Sequence, residues 1–228
     1  MSPLYKIRLA EAADTEAIRA IRNHVIEHST AIWTTQTASP GDARTWLAEN
    51  LARRSAYVAE AGGQVIGYAN WAPWRPKDGY RHTVEDSVYL TDGHQGRGLG
   101  AELLRTLITG AAASGAHVMM ACIESSNARS VALHQRLGFE VVGTAREVGT
   151  KFGRWLDLTM MRRPLSPSGI APAIRCNRYA RSAPAVPGEV GLLGQDGPHG
   201  GEDRSRDREE DGHAERGRPE LAVDISPG

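Results

Sequence analysis

Thr83-Val84-Glu85-Asp86-Ser87-Val88-Tyr89-Leu90-Thr91-Asp92-Gly93-His94-Gln95-Gly96-Arg97-Gly98-Leu99-Gly100 is the stretch on which the fold turns. Its first half, extended back to His82, has the β-branched and aromatic content of a strand. Its second half sets Gly96, Gly98 and Gly100 at alternate positions, and Leu103, Leu104, Leu107 and Ile108 then place an apolar stripe at helical spacing along Leu99–Ala113. Strand, glycine-rich turn and helix in that order make an anion cradle. Glycine lets a ligand approach the backbone closely, and the free N–H groups and dipole of a helix start favour negative charge. Arg97 adds a cationic donor within the turn. The spacing is neither the dinucleotide G-x-G-x-x-G nor a P-loop, which needs Gly-Lys-Ser/Thr.

Downstream, His117–Ile123 is nearly all apolar, as a strand covered on both faces is. Asn127–Leu137 reads as a helix stopped at Gly138, and Phe139–Val148 with Arg154–Met161 as a hairpin around Gly149–Gly153. Upstream, Tyr5–Leu9 alternates as a strand does, and Asp14 is placed to cap a helix to about Arg22, followed by a less regular helical stretch to His28. Ser39-Pro40-Gly41-Asp42 starts a second helix that runs to about Arg54. Tyr57–Ala61 and Gln64–Trp71 flank Gly62-Gly63 as a tight hairpin. The order β-α-α-β-β-β-α-β-α-β-β predicts an α/β (α+β) domain. Its central sheet is mixed and mostly antiparallel, with helices on both faces and one parallel pair across the Leu99–Ala113 crossover.

The chain has 228 residues, and its 27 basic and 27 acidic side chains cancel. A nucleic-acid binder driven by bulk charge is not expected from that balance. No apolar run reaches the length of a membrane helix, and MSPLYKIRLA lacks the apolar stretch of a secretory signal. Two cysteines, Cys122 and Cys176, are too few for a disulfide scaffold or a four-cysteine zinc site, and they fit a reducing cytoplasm. His82, His94 and His117 do not have metal-ligand spacing, so no metal is expected. All five Trp and both Phe fall within residues 1–165. Residues 166–228 carry one aromatic side chain, Tyr179, and 17 of those 63 positions are Gly or Pro. The expectation is one folded domain, 1–165, and a disordered tail, 166–228.

Gln95–Gly100 resembles the Q/R-x-x-G-x-G/A pyrophosphate loop of the Gcn5-related N-acetyltransferases. Asn127-Ala128-Arg129-Ser130-Val131-Ala132-Leu133-His134, followed by Gly138-Phe139, resembles that superfamily's second signature, Asn-x-x-x-x-x-Leu-Tyr then Gly-Phe. Thr30–Trp33, Trp74-Arg75-Pro76, Thr83–Tyr89 and Lys151–Asp157 are similar to the phosphinothricin and methionine sulfone (methionine sulfoximine) N-acetyltransferase family, over about residues 5–165. The resemblance implies the acyl-CoA N-acyltransferase fold, with acetyl-CoA lying where the strand ending at Leu90 splays from His117–Ile123. It implies that Val88, Tyr89 and Leu90 pair by backbone with the pantetheine arm. The pyrophosphate would be held around Gln95, Gly96, Arg97, Gly98, Leu99, Gly100 and Ala101, with a hydrogen bond from Asn127 on the other side. It also implies a homodimer.

Acetyl transfer needs a neutral amine, and an α-ammonium is mostly protonated near pH 7. Glu85, just before the strand edge implied to pair with the cofactor, is the candidate general base, acting directly or through water. His134 stands where the superfamily often has Tyr, a proposed donor to the departing thiolate, and imidazole titrates near neutrality. Arg75, Pro76, Lys77 and Tyr80, with Arg81 beside them, cluster before Glu85, Asp86 and Ser87. Together these are the candidate site for a small amino-acid-like substrate and its acidic groups. Trp33, Trp74 and Phe152 are candidate walls for its apolar part, though core packing explains them equally well. The expected activity is acetyl-CoA-dependent N-acetylation of a phosphinothricin, methionine sulfone or methionine sulfoximine type of amine. Two other readings stay open: the same fold acting on a protein N-terminus or polyamine, and a non-catalytic acyl-CoA-binding module, which retention of Glu85 and His134 disfavours.

Overall fold

The structure is a computed structural model and describes residues 5–165 and 224–225. Along the chain come β1 (Lys6–Leu9), α1 (Thr15–His28), α2 (Pro40–Arg53), β2 (Ala56–Ala61), β3 (Gln64–Pro73), β4 (Thr83–Leu90), α3 (Leu99–Ala113) and β5 (Val118–Glu124). They are followed by α4 (Ala128–Arg136), β6 (Glu140–Lys151), β7 (Arg154–Pro164) and β8 (Asp224–Ile225). The sheet runs β1-β2-β3-β4-β5-β7-β6. Every neighbouring pair in it is antiparallel except β4–β5, which is parallel. The expected mixed sheet and its single parallel neighbouring pair are therefore present, and because β6 lies outside β7, α4 carries a second crossover past that strand.

Local chemistry explains most boundaries. Ser39 and Asp42 form a reciprocal cap at the start of α2: Asp42 N donates to Ser39 Oγ at 3.2 Å and Ser39 N to Asp42 Oδ2 at 3.0 Å. Asp14 does not cap α1 as its position suggests. Its carboxylate takes a 2.7 Å bond from Arg8 and a 2.8 Å bond from Glu11 N, closing the turn before the helix. Nor is α1 irregular after Arg22. Ile18, Ile21, Val25 and Ile26 keep one buried stripe, and the helix continues to His28. The β6–β7 turn is tighter than expected, only Phe152 and Gly153, both at positive φ (49° and 71°). A register shift between Ala145 and Gly149 absorbs the extra residues inside the strand.

Side chains alternate across β4 and divide the core into two layers. Val84 and Val88 join Leu99, Leu103, Leu104 and Leu107 of α3 on one face. Tyr89 joins Tyr68, Val58 and the buried stripe of α1 on the other. Leu103, Leu104 and Leu107 are fully buried, each worth about 1.5–3 kcal/mol relative to exposure. Gly110 lets β2 approach α3, since a Cβ there would lie 2.1 Å from the Tyr57 hydroxyl.

The feature that positions the site is where β4 and β5 part. β4 pairs with β3 along its whole length, from Pro73↔Val84 to Gly67↔Leu90. It pairs with β5 only at Thr83↔Val118, Val84↔Met119 and Glu85↔Met120. β5 instead follows β7 as far as Glu124↔Leu158. Each strand is thus held by its outer neighbour, and a slot opens beyond Glu85. The expected tail, 166–228, lies outside the described residues apart from β8, which pairs in parallel with Ser87 and Val88. That pairing uses the row of backbone groups that β4 leaves open at the slot. No described helix is long and apolar enough to cross a membrane.

Candidate active site

The slot leads to the glycine turn. Gly93, Gly96 and Gly98 have φ of 80°, 74° and 87°, conformations that favour glycine. Gly98 is the N-cap of α3 and supplies no side-chain cap, so the amides of the first turn are not spent on one. Gly96, Arg97 and Gly98 are exposed, Gln95, Gly100 and Ala101 are half-buried, and Leu99 anchors the turn in the core. Val88 and Tyr89 send their side chains into opposite core layers, which fixes the backbone of β4 at the slot; Leu90 packs at the edge of the α3 layer. Asn127 is buried beyond β5, and its side chain caps α4 by accepting from Ser130 N at 3.1 Å.

Glu85 is the last residue of β4 to pair with β5, and it is 7% exposed. Burial pushes its carboxyl up to about 7. A hydrogen bond with the Cys122 thiol and the charge of Arg75 pull it partly back, while Asp86 adds to the rise. Its Oε1 has no hydrogen-bond partner. Strand alternation puts Cys122 on the same face of the sheet as Met120, the partner of Glu85. The Cys122 thiol is pushed well up, first by burial and then by Glu85, and it also hydrogen-bonds Trp74. A buried carboxyl near pH 7 with an oxygen left open can take a proton under neutral conditions.

Asp86 faces the opposite side of the sheet. Its Oδ2 lies 3.1 Å from His134 Nε2, and both side chains are completely buried. His134 Nδ1 lies 2.8 Å from the Ser130 carbonyl, and the Phe139 ring packs edge-on at 4.8 Å. Asp86 Oδ1 and Ser130 Oγ are buried without partners. Glu85 and His134, expected to serve one reaction, thus flank the sheet from its two faces. Ser87 is buried in β4, and the Asp86 carboxylate points to His134, away from the face that holds Glu85.

The loop before β4 is exposed at Arg75, Pro76, Lys77, Tyr80 and Arg81. Arg75 stacks on Trp74, with its guanidinium carbon 4.8 Å from the ring centroid, and Tyr80 meets Trp74 edge-on at 5.2 Å. Trp33 lies against the backbone of Gly149, where a Cβ would come within 2.3 Å of its ring. Phe152 is exposed at the hairpin tip. Sequence reasoning passed over Glu124 and Lys151. Glu124, buried at the end of β5, accepts from Thr30 Oγ1 at 3.1 Å, from Ser126 N at 3.0 Å and from Ser126 Oγ. Lys151, also buried, donates to the Ile32 carbonyl. The available signal for Glu124 was a carboxylate directly following an apolar strand. Among the described residues no group of three or more His, Cys, Asp or Glu comes together as a metal site.

A parallel strand pair that parts in a mixed sheet, beside a glycine-rich helix start, defines the acyl-CoA N-acyltransferase class. Residues 7–160 match the acetyltransferase (GNAT) domain model, and the chain belongs to that family. It is 47% identical over 169 residues to the L-methionine sulfoximine/L-methionine sulfone acetyltransferase of Pseudomonas aeruginosa, covering 73% of this chain and 98% of that one. It is 50% identical over 160 residues to the L-amino acid N-acyltransferase MnaT of Escherichia coli, covering 70% and 93%. The structure of a Salmonella typhimurium protein with its cofactor acetyl-CoA superposes with a TM-score of 0.73 at 45% identity, covering 75% of this chain and 98% of that one. The protein is an acetyl-CoA-dependent N-acetyltransferase.

Proposed function

We propose that the acceptor is the α-amine of a small amino-acid analogue of the methionine sulfone, methionine sulfoximine or phosphinothricin type. The observation that carries this reading is Glu85, buried at the point where β4 and β5 part, with its carboxyl raised to about 7, one oxygen open and Arg75 near enough to act on its charge. An amino acid carries its carboxylate one carbon from its amine, so base and cation must lie close together. Names of the relatives point to the same class of acceptor.

Acetyl-CoA enters the slot with its pantetheine arm along Val88–Leu90 and its pyrophosphate at the Gln95–Ala101 turn. Arg75, in the exposed loop with Lys77 and Tyr80, receives the carboxylate of the acceptor. Glu85 takes a proton from the amine, directly or through water. The freed lone pair attacks the thioester carbonyl and the new C–N bond forms; the C–S bond breaks as the nitrogen loses its surplus proton, and the departing thiolate takes up a proton, so CoA leaves as the free thiol. Release of free thiol from acetyl-CoA on addition of each of the three analogues tests this; no release with any of them would overturn it.

The chain acts as a homodimer in this reading. Val141, Val142, Val148, Phe152 and Trp155 are all exposed on the β6–β7 hairpin, Trp155 by 69%, an apolar edge suited to a second copy. A reducing cytoplasm suits the free Cys122.

A further inference from the structure

The proposed reaction leaves His134 without a task, although its place in the Asn127–His134 segment marks it for one. Its hydrogen bonds say what it does. A carbonyl only accepts, so the 2.8 Å contact with the Ser130 oxygen places a hydrogen on Nδ1. The 3.1 Å contact between Nε2 and Asp86 Oδ2 holds one further proton. Neither ring nitrogen is left to protonate a departing thiolate. Both side chains are 0% exposed, and burying such a pair is favourable only while each partner satisfies the other.

The location of the pair is specific. Asp86 is the first residue of β4 past its last pairing with β5, Glu85↔Met120. On its other side it is held by β3, through Trp71↔Asp86. His134 belongs to α4, which follows β5 directly: Asn127 N donates to Glu124 O at 2.9 Å, and Asn127 caps the helix. The Asp86–His134 contact therefore bridges the mouth of the slot, from the strand on one side to the helix attached to the strand on the other. The Phe139 ring, 4.8 Å away and edge-on, fixes the imidazole plane.

We propose that Asp86 and His134 are a positioning pair for acetyl-CoA, tying β4 to α4 across the slot and setting the distance between the Val88–Leu90 edge and Asn127. This rests on the reading that acetyl-CoA occupies the slot. His134 acts through Asp86 and not on the thioester.

Calorimetric titration with acetyl-CoA tests the pair without reference to any acceptor, and pH–rate profiles with methionine sulfone add the kinetic readout. His134→Ala and Asp86→Ala are each expected to weaken acetyl-CoA binding at least about tenfold. The double variant is expected to bind no more weakly than the worse single variant, because the two act as a unit. His134→Gln presents an amide that can donate to Asp86 but holds no titrating proton. It is expected to recover most of the affinity and to keep the alkaline limb of the profile. Normal acetyl-CoA affinity in His134→Gln with the alkaline limb and kcat lost would show an acid instead and overturn the proposal. Unchanged affinity in Asp86→Ala, or additive losses in the double variant, would overturn it too. If the alanine variants fail to fold, His134→Phe and Asp86→Leu, which fill the space but cannot bond each other, carry the same comparison. Failure of the wild-type protein to bind acetyl-CoA would instead strike the functional reading beneath it.

Discussion

Replacing Glu85 by Gln should slow the enzyme and stabilise it at the same time. Gln keeps the shape of the protonated side chain and cannot accept a proton. The rate should fall on the order of 10²-fold, at the lower end for loss of a general base, and the loss should shrink at high pH, where free amine is plentiful. Stability follows from the rise of the carboxyl from 4.5 to about 7 on folding, which is caused mainly by burial. Between those values the folded state holds more protons than the unfolded chain, so stability falls as pH rises through this window. Below about 4.5 the group is protonated in both states and contributes nothing. Above about 7 the full penalty of a buried charge is present, on the order of 3 kcal/mol. Glu85→Gln removes that penalty. Its Tm at pH 8 should exceed the wild type's by on the order of 5–10 °C for a domain of this size, with the gain fading toward pH 4.5. Calorimetric melts and pH–rate profiles of both proteins measure the two effects. A variant no more stable at pH 8, or a rate profile superimposable on the wild type's, would refute the reasoning.

Gly98→Val should weaken acetyl-CoA binding at least about tenfold, about 1.4 kcal/mol. Gly98 sits at φ 87° and an added Cβ meets no atom of the chain within 4 Å, so the effects are backbone strain and a side chain on the open side of the turn; calorimetry on the folded variant checks it. Arg75→Ala should raise KM for the amino-acid analogue more than it lowers kcat, because a carboxylate clamp holds ground state and transition state about equally; steady-state kinetics separate the two. A chain ending at Leu165 should keep its Tm and activity. It should also bind acetyl-CoA at least as tightly as the full chain, since Asp224–Ile225 pairs with Ser87 and Val88, and Val88 begins the edge proposed for the pantetheine arm.

Elements governed by nearest neighbours in sequence were legible in it. The Ser39–Asp42 cap, the Gly62-Gly63 turn and the limits of α3 all follow from local chemistry, and the structure has them. Asp14 misled because a partner distant from its helix, Arg8 on β1, claims its carboxylate. The β6–β7 turn misled because a bulge inside a strand leaves no composition signal as plain as a turn does. In the site, the glycine turn was readable from spacing, while Glu85 was singled out by its place in the strand that the family resemblance sets beside the cofactor. The Asp86–His134 contact was not, since it joins residues 48 apart across the slot. The same holds for Thr30 with Glu124 and for Lys151 with Ile32, which are brought together only by the packed sheet.

The central claim, acetyl transfer to the α-amine of a small amino-acid analogue, is tested most directly by one competition. Limiting acetyl-CoA is mixed with the enzyme and equal concentrations of methionine sulfone, methionine sulfoximine, phosphinothricin, a polyamine and a short peptide with a free N-terminus, and the acetylated products are identified by mass spectrometry. Acetyl groups on the α-amine of one or more of the three analogues are the expected result. Acetyl groups confined to the peptide or the polyamine would contradict the account.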